Sequence, residues 1–187
     1  MKAAVIVFPV PTFLVSYVSV KLAVSPAASV PAVIVGEPGA YLRRPGFWQG
    51  GCGIAACWYG GALPLARAVA ERAAVRPDPH TAALLGTIDV ALGSLRALLR
   101  ETAAQIDADP TADRAADALR VRAAADETAR LVLDAAGRAL GAGPLCRDAT
   151  IAQHFADLPV FIRQTHAERD LAALAERVLE QRERWEL

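Results

Sequence analysis

From about Gly50 onward the chain is rich in Ala, Leu and Arg, and its apolar positions recur at helical spacing. The clearest stripe is Leu84, Ile88, Ala91, Leu95, Leu98, Thr102 and Ile106. Its i, i+3, i+4 intervals predict an amphipathic helix over about His80 to Asp107. A first helix is expected before it, over about Gly53 to Ala74. Arg76-Pro77-Asp78-Pro79 ends that helix, because proline cannot continue a helix and restrains the residue before it. Asp109-Pro110-Thr111 makes the next turn, with Thr111 the expected N-cap. A third helix then spans about Ala112 to Leu140, stopped by Gly141 and Gly143. The fourth starts near Arg147 and runs, kinked at Pro159, towards Glu180. Four long amphipathic helices with short connections predict a mainly α fold, an antiparallel four-helix bundle occupying residues 48–187.

Residues 1–47 follow a different pattern. They are apolar and β-branched, and are broken by Pro9, Pro11, Pro26, Pro31, Pro38 and Pro45. Ala3 to Val20 carries no charge and follows Lys2. Pro9 and Pro11 interrupt a run already at the short end of the ~20 residues a membrane span needs. The run also mixes in Ser, Thr and Tyr, with no clean small-residue cleavage site after it. Its Val, Ile, Phe, Tyr and Thr content suits short strands, so a β-rich or extended segment is expected. A signal or anchor and a disordered tail stay open as the other readings.

Composition narrows the functional classes. At 187 residues the chain fits one domain with at most a small appendage. Lys plus Arg and Asp plus Glu number 20 each, and this balance gives no electrostatic case for nucleic acid or an anionic membrane surface. Neither partner is expected. Abundant alanine suits closely packed helices. Cys52, Cys57 and Cys146 make neither a metal-ligand pattern nor a disulfide framework, so free thiols and a cytoplasmic location are expected. His80, His154 and His166 are too scattered to argue a metal. Gly51-Cys52-Gly53-Ile54-Ala55-Ala56 fits G-x-G-x-x-A, but no strand pattern directly precedes it, so it is not read as a nucleotide site.

The stretch with most chemical content runs from Asp134-Ala135-Ala136-Gly137 through Gly141-Ala142-Gly143 to Arg147-Asp148-Ala149-Thr150-Ile151. It resembles the C-terminal helical domain of the acyl-CoA dehydrogenase family, where a Gly-rich junction precedes Arg-Asp-Ala-x-Ile. Tyr41 to Gly51 resembles the exit from that family's middle β-domain, and Gly53-Ile54-Ala55-Ala56-Cys57-Trp58-Tyr59-Gly60-Gly61-Ala62 the start of its first bundle helix. The likeness covers about residues 35 to 175.

The resemblance implies FAD-dependent α,β-dehydrogenation of an acyl thioester, with Gly141, Gly143 and Arg147 contacting the cofactor. In flavin monooxygenase-like relatives a histidine near His166 faces the flavin, which makes His166 the candidate catalytic residue. Glu71 is a possible carboxylate base on the first helix, as in some members. The chain departs from the family at Gly137 and Leu140, lacks the glutamate-bearing loop before Arg147, and has Arg76-Pro77-Asp78-Pro79-His80 where Arg-x-x-Phe-Gly is expected. Most of the family's other domains have no counterpart, so the chain reads as a truncated member, incomplete as a lone enzyme. Its expected partners are further copies of itself or a full-length family member. The alternatives are a flavin monooxygenase-like protein and a catalytically inactive helical module that self-associates or binds a partner.

Overall fold

A computed structural model describes residues 37 and 39–180. Helix accounts for 88% of these residues, and none of them is in a strand. Most of the β-rich or extended segment expected over residues 1–47 lies outside the described part, but its end is helical, in Ala40–Arg43 and again from Pro45. From Tyr41 onward the described helices belong to one compact unit. In chain order they are α1 (Ala40–Arg43), α2 (Pro45–Val75), α3 (Pro79–Ala108), α4 (Ala115–Leu140), α5 (Ala142–Arg147), α6 (Ala149–Phe161), a 3-10 turn (Ile162–Gln164) and α7 (Glu168–Glu180).

Helix α2 begins at Pro45, well before the expected start at Gly53. Proline suits a first helical turn, whose N–H groups have no intrahelical partner. The glycines that follow do not stop the helix, because some of them sit where other helices press close. A Cβ at Gly51 would lie 3.8 Å from Ala118 Cβ and from Arg122 Cδ, and one at Gly61 would lie 3.2 Å from Leu158 Cδ1. Packing outweighs the helix propensity of glycine here. Pro64 deprives the Gly60 carbonyl of its helical donor, and Gly60 is exposed, so water can replace it.

The turn into α3 follows the sequence. The Arg76 N–H closes α2 on the Arg72 carbonyl at 2.8 Å. Asp78 then caps α3, accepting from the backbone N–H groups of His80 (3.0 Å) and Thr81 (2.9 Å), with Pro79 at the first helical position. Thr111, by contrast, does not cap α4. Its N–H and hydroxyl both donate to Asp109 Oδ1, and it is Asp113 Oδ1 that accepts the Ala115 N–H at 2.9 Å. Two aspartates outcompete one threonine, since a carboxylate is the stronger acceptor.

The fourth helical stretch departs most from expectation. Gly141 ends α4 with φ 68°, a backbone that L side chains rarely adopt. Gly143 is no stop, because it lies inside α5. Arg147 is the last residue of α5 rather than the start of the next helix, and Asp148 caps α6 through the N–H groups of Thr150 and Ile151. Pro159 sits within α6 without ending it. The break comes instead at Thr165–Ala167, where Ala167 has φ 44°. There the Ala167 N–H donates to Thr165 Oγ1, and the His166 N–H donates to Asp170 Oδ2.

The core is built around α4, which buries thirteen of its 26 residues, eight of them alanine. Small side chains let α2 and α3 approach closely on either side. Trp58, Leu65 and Val69 of α2 meet Ile88, Leu92 and Leu95 of α3 and Val121 and Val132 of α4, with Leu158 and Ile162 closing the fourth side. Of the predicted α3 stripe, Ile88, Leu95 and Thr102 are buried and Leu84, Ala91, Leu98 and Ile106 half-buried. Phe155 lies over Gly137, while further along the chain Arg122 meets Gln164 and Asp113 meets Arg177. The chain from α6 to α7 therefore descends along α4 in the opposite sense.

Candidate functional site

The end of α2, the start of α3 and the end of α4 converge on two adjoining hollows. One, of about 360 Å³, is lined by Arg72, Arg76, Asp78, His80, Thr81 and Arg138, among others. The second, of about 310 Å³, shares His80, Leu84 and Arg138 and adds Asp134. Asp78 stays ionised here, because the hydroxyl and N–H of Thr81 hold its carboxyl below the usual range. Arg138 pairs with Asp134 at 3.3 Å, but both side chains are largely exposed. Arg72 and Arg76 have no ion-pair partner among the described residues, and the Arg72 Nε is buried without a hydrogen bond. The sequence shows each of these arginines; only folding shows that they share one cleft.

Gly141 sits just past this cleft, exposed, with nothing within 4 Å of where a Cβ would stand. Gly143 is different, because the guanidinium of Arg147 folds back to 2.8 Å from its would-be Cβ. Arg147 is otherwise exposed. These three residues stay near one another, at one end of the molecule.

His166 is elsewhere. Its side chain is 67% exposed, and Nδ1 lies 3.4 Å from Asp170 Oδ1. Asp170 is itself only 15% exposed and joins the break to α4: Arg122 Nε stands 4.0 Å from its Oδ2. The Arg122 Nη2 donates to the Gln164 carbonyl at 3.0 Å, and the guanidinium lies 4.8 Å from the centre of the buried Trp58 ring. Neither Asp170 nor Arg122 stood out in the sequence. The signal available was Thr165-x-x-Glu168, a helix-start pattern that marks the break. Arg122 and Arg138 are separated by about 24 Å along α4 at ~1.5 Å per residue. Within one chain, the fold does not bring His166 to Gly141, Gly143 and Arg147.

The remaining candidates are less connected. Glu71 is exposed and does not line the cleft. Gly51-Cys52-Gly53 lies inside α2, without the strand and loop that a nucleotide fingerprint needs. Burial and the charge of Asp117 push the Cys52 thiol up, while Cys57 and Cys146 are exposed free thiols. Among the described residues, no group of three or more His, Cys, Asp and Glu is placed to hold a metal ion.

Helix α3 carries a second surface of note. An 18-residue window of it has a mean hydropathy of 1.6, yet only 17% of that window is buried. By length and composition it could cross a membrane, the one such helix among the described residues. Its outward side presents Ala82, Gly86, Val90, Gly93 and Ala97, with Val90 69% exposed. Gly86 and Gly93 have nothing within 4 Å of a would-be Cβ. Asp89, Arg96 and Arg100 flank this strip and are exposed. No protein-family model, curated protein or solved structure matches this chain.

Proposed function

We propose that this chain is a helical self-association module of the acyl-CoA dehydrogenase C-terminal type. In this reading it is an antiparallel four-helix bundle, with α6 and α7 together serving as a broken fourth helix. The order of contacts supports that topology, since Phe155 and Gln164 meet Gly137 and then Arg122 of α4, and Arg177 meets Asp113 just before its start. The observation that carries the functional reading is the bare apolar side of α3. Extended apolar patches on soluble proteins mark interaction sites. The small residues let a second backbone approach closely, and the flanking charges favour a protein over lipid, because lipid-facing charges are costly. Asp89 and Arg96 lie on either side of Gly93. A twofold axis near Gly93 therefore sets Asp89 of each copy against Arg96 of the other, a self-complementary arrangement. The setting proposed is the cytoplasm, whose reducing poise suits free Cys57 and Cys146. Sedimentation velocity at micromolar concentration tests the reading: a dimer is expected, and a monomer throughout the range refutes it.

A second reading keeps the flavin chemistry. It rests on Gly141, whose positive φ and open surroundings leave the backbone approachable beside an arginine-rich cleft. Assembly with a full-length relative would supply FAD and the acyl thioester, with Gly141, Gly143 and Arg147 at the cofactor and His166 handling a proton. The distance from His166 to the glycines is then spanned between subunits. The purified chain alone is expected to retain little FAD, since both hollows are open and shallow. Stoichiometric flavin on the lone chain, bleached by an acyl thioester, would show that it works unaided.

A further inference from the structure

We propose that the cleft between the ends of α2 and α4 and the start of α3 binds a small dianionic oxyanion, a phosphate or the terminal phosphoryl group of a phosphate monoester. The inference is separate from self-association, because the cleft lies outside the α3 strip. Its basis is a cluster of cationic donors in one concave place, two of them without an ion-pair partner among the described residues and the third held only by an exposed pair. Arg72, Arg76 and Arg138 line the same hollow of about 360 Å³, together with His80. Arginine presents a planar fork of donors that matches tetrahedral oxyanions.

The arginines are poorly satisfied by the chain itself. The Arg72 Nε is shielded from solvent without an acceptor, although buried guanidinium donors normally find one. Arg76 has no ion-pair partner among the described residues. The Arg138–Asp134 pair is exposed on both sides, and such pairs are weak enough for Arg138 to turn inward towards a better acceptor. Asp78 is the carboxylate in this hollow, and it is already engaged. Its oxygens accept the N–H groups of His80 and Thr81 and the Thr81 hydroxyl, so its charge is directed at the start of α3. That cap also means that the site depends on side chains and not on the free end of a helix.

The test is isothermal titration of the full chain with inorganic phosphate, glycerol phosphate and FAD, at constant ionic strength in chloride. Saturable binding of phosphate or glycerol phosphate is expected, weakened at least tenfold in Arg138→Gln and in Arg76→Gln. Both are exposed positions where substitution leaves the fold intact. Equal affinity for the two ligands identifies a free phosphate site, and tighter binding of the ester identifies a phosphoryl group carried on a larger molecule. Heats that the chloride control reproduces, or binding unchanged in both variants, would overturn the proposal. So would binding of FAD without either phosphate ligand.

Discussion

Val90 offers the sharpest handle on self-association. It projects from the middle of the bare side of α3 and keeps 69% of its surface exposed. Fully burying a valine side chain contributes about 1.5 kcal/mol at the low end of the usual range. Scaled by its exposure, covering Val90 is worth ~1 kcal/mol per copy, or ~2 kcal/mol across a twofold interface. That is about a 30-fold change in dissociation constant. Val90→Asp removes this gain and also brings a carboxylate next to Asp89, where no acid can be desolvated cheaply. The dimer should therefore weaken by more than ~100-fold. Because the side chain contributes little to the core, the thermal midpoint of the monomer should barely move. Sedimentation velocity with thermal melts at matched concentration reads both quantities. An unchanged dimer would remove α3 from the interface, and a large drop in the midpoint would mean that Val90 supports the fold instead.

The break before α7 separates two neighbours: Asp170→Ala leaves Arg122 half-buried without its partner and should cost about 1–3 kcal/mol in urea unfolding. His166→Ala should cost less than ~0.5 kcal/mol, because the exposed ring is dispensable and the backbone N–H keeps its bond to Asp170; equal losses would contradict this. Gly61→Val drives a branched side chain into Leu158 and should destabilise the chain by ~1–3 kcal/mol, seen as a lower urea midpoint with unchanged helicity. Hydrogen bonds hold the Asp78 and Asp109 carboxyls below their usual range, so their stabilisation is present above about pH 4 and is lost as pH falls through their lowered folded values. Asp78→Asn should flatten the acid limb of stability against pH, and an unaltered limb would show that the cap does not titrate with folding.

Much of the helical order was determined locally. Pro77, Asp78 and Pro79 fix one turn, because proline geometry and an aspartate cap act on adjacent residues. Gly141 ends α4, because only glycine accepts that φ readily. The α3 stripe points inward as its period requires, since the spacing alone sets which side chains share a face. Other features follow from contacts between distant residues, and no window of sequence contains them. The sequence starts the first helix at Gly53 and gives no role to its glycines, whereas in the fold Ala118 and Leu158 lie against Gly51 and Gly61. The fourth helix looks continuous past Pro159, but it breaks at Thr165, where Asp170 and the Gln164 carbonyl both turn towards Arg122. Arg72, Arg76 and Arg138 are unremarkable singly and become a cleft only when α2, α3 and α4 end together. Caps, turns and periodicity act within a few residues, so sequence determines them. Which side chains meet across helices depends on how closely the backbones pack, and that was decided by the fold.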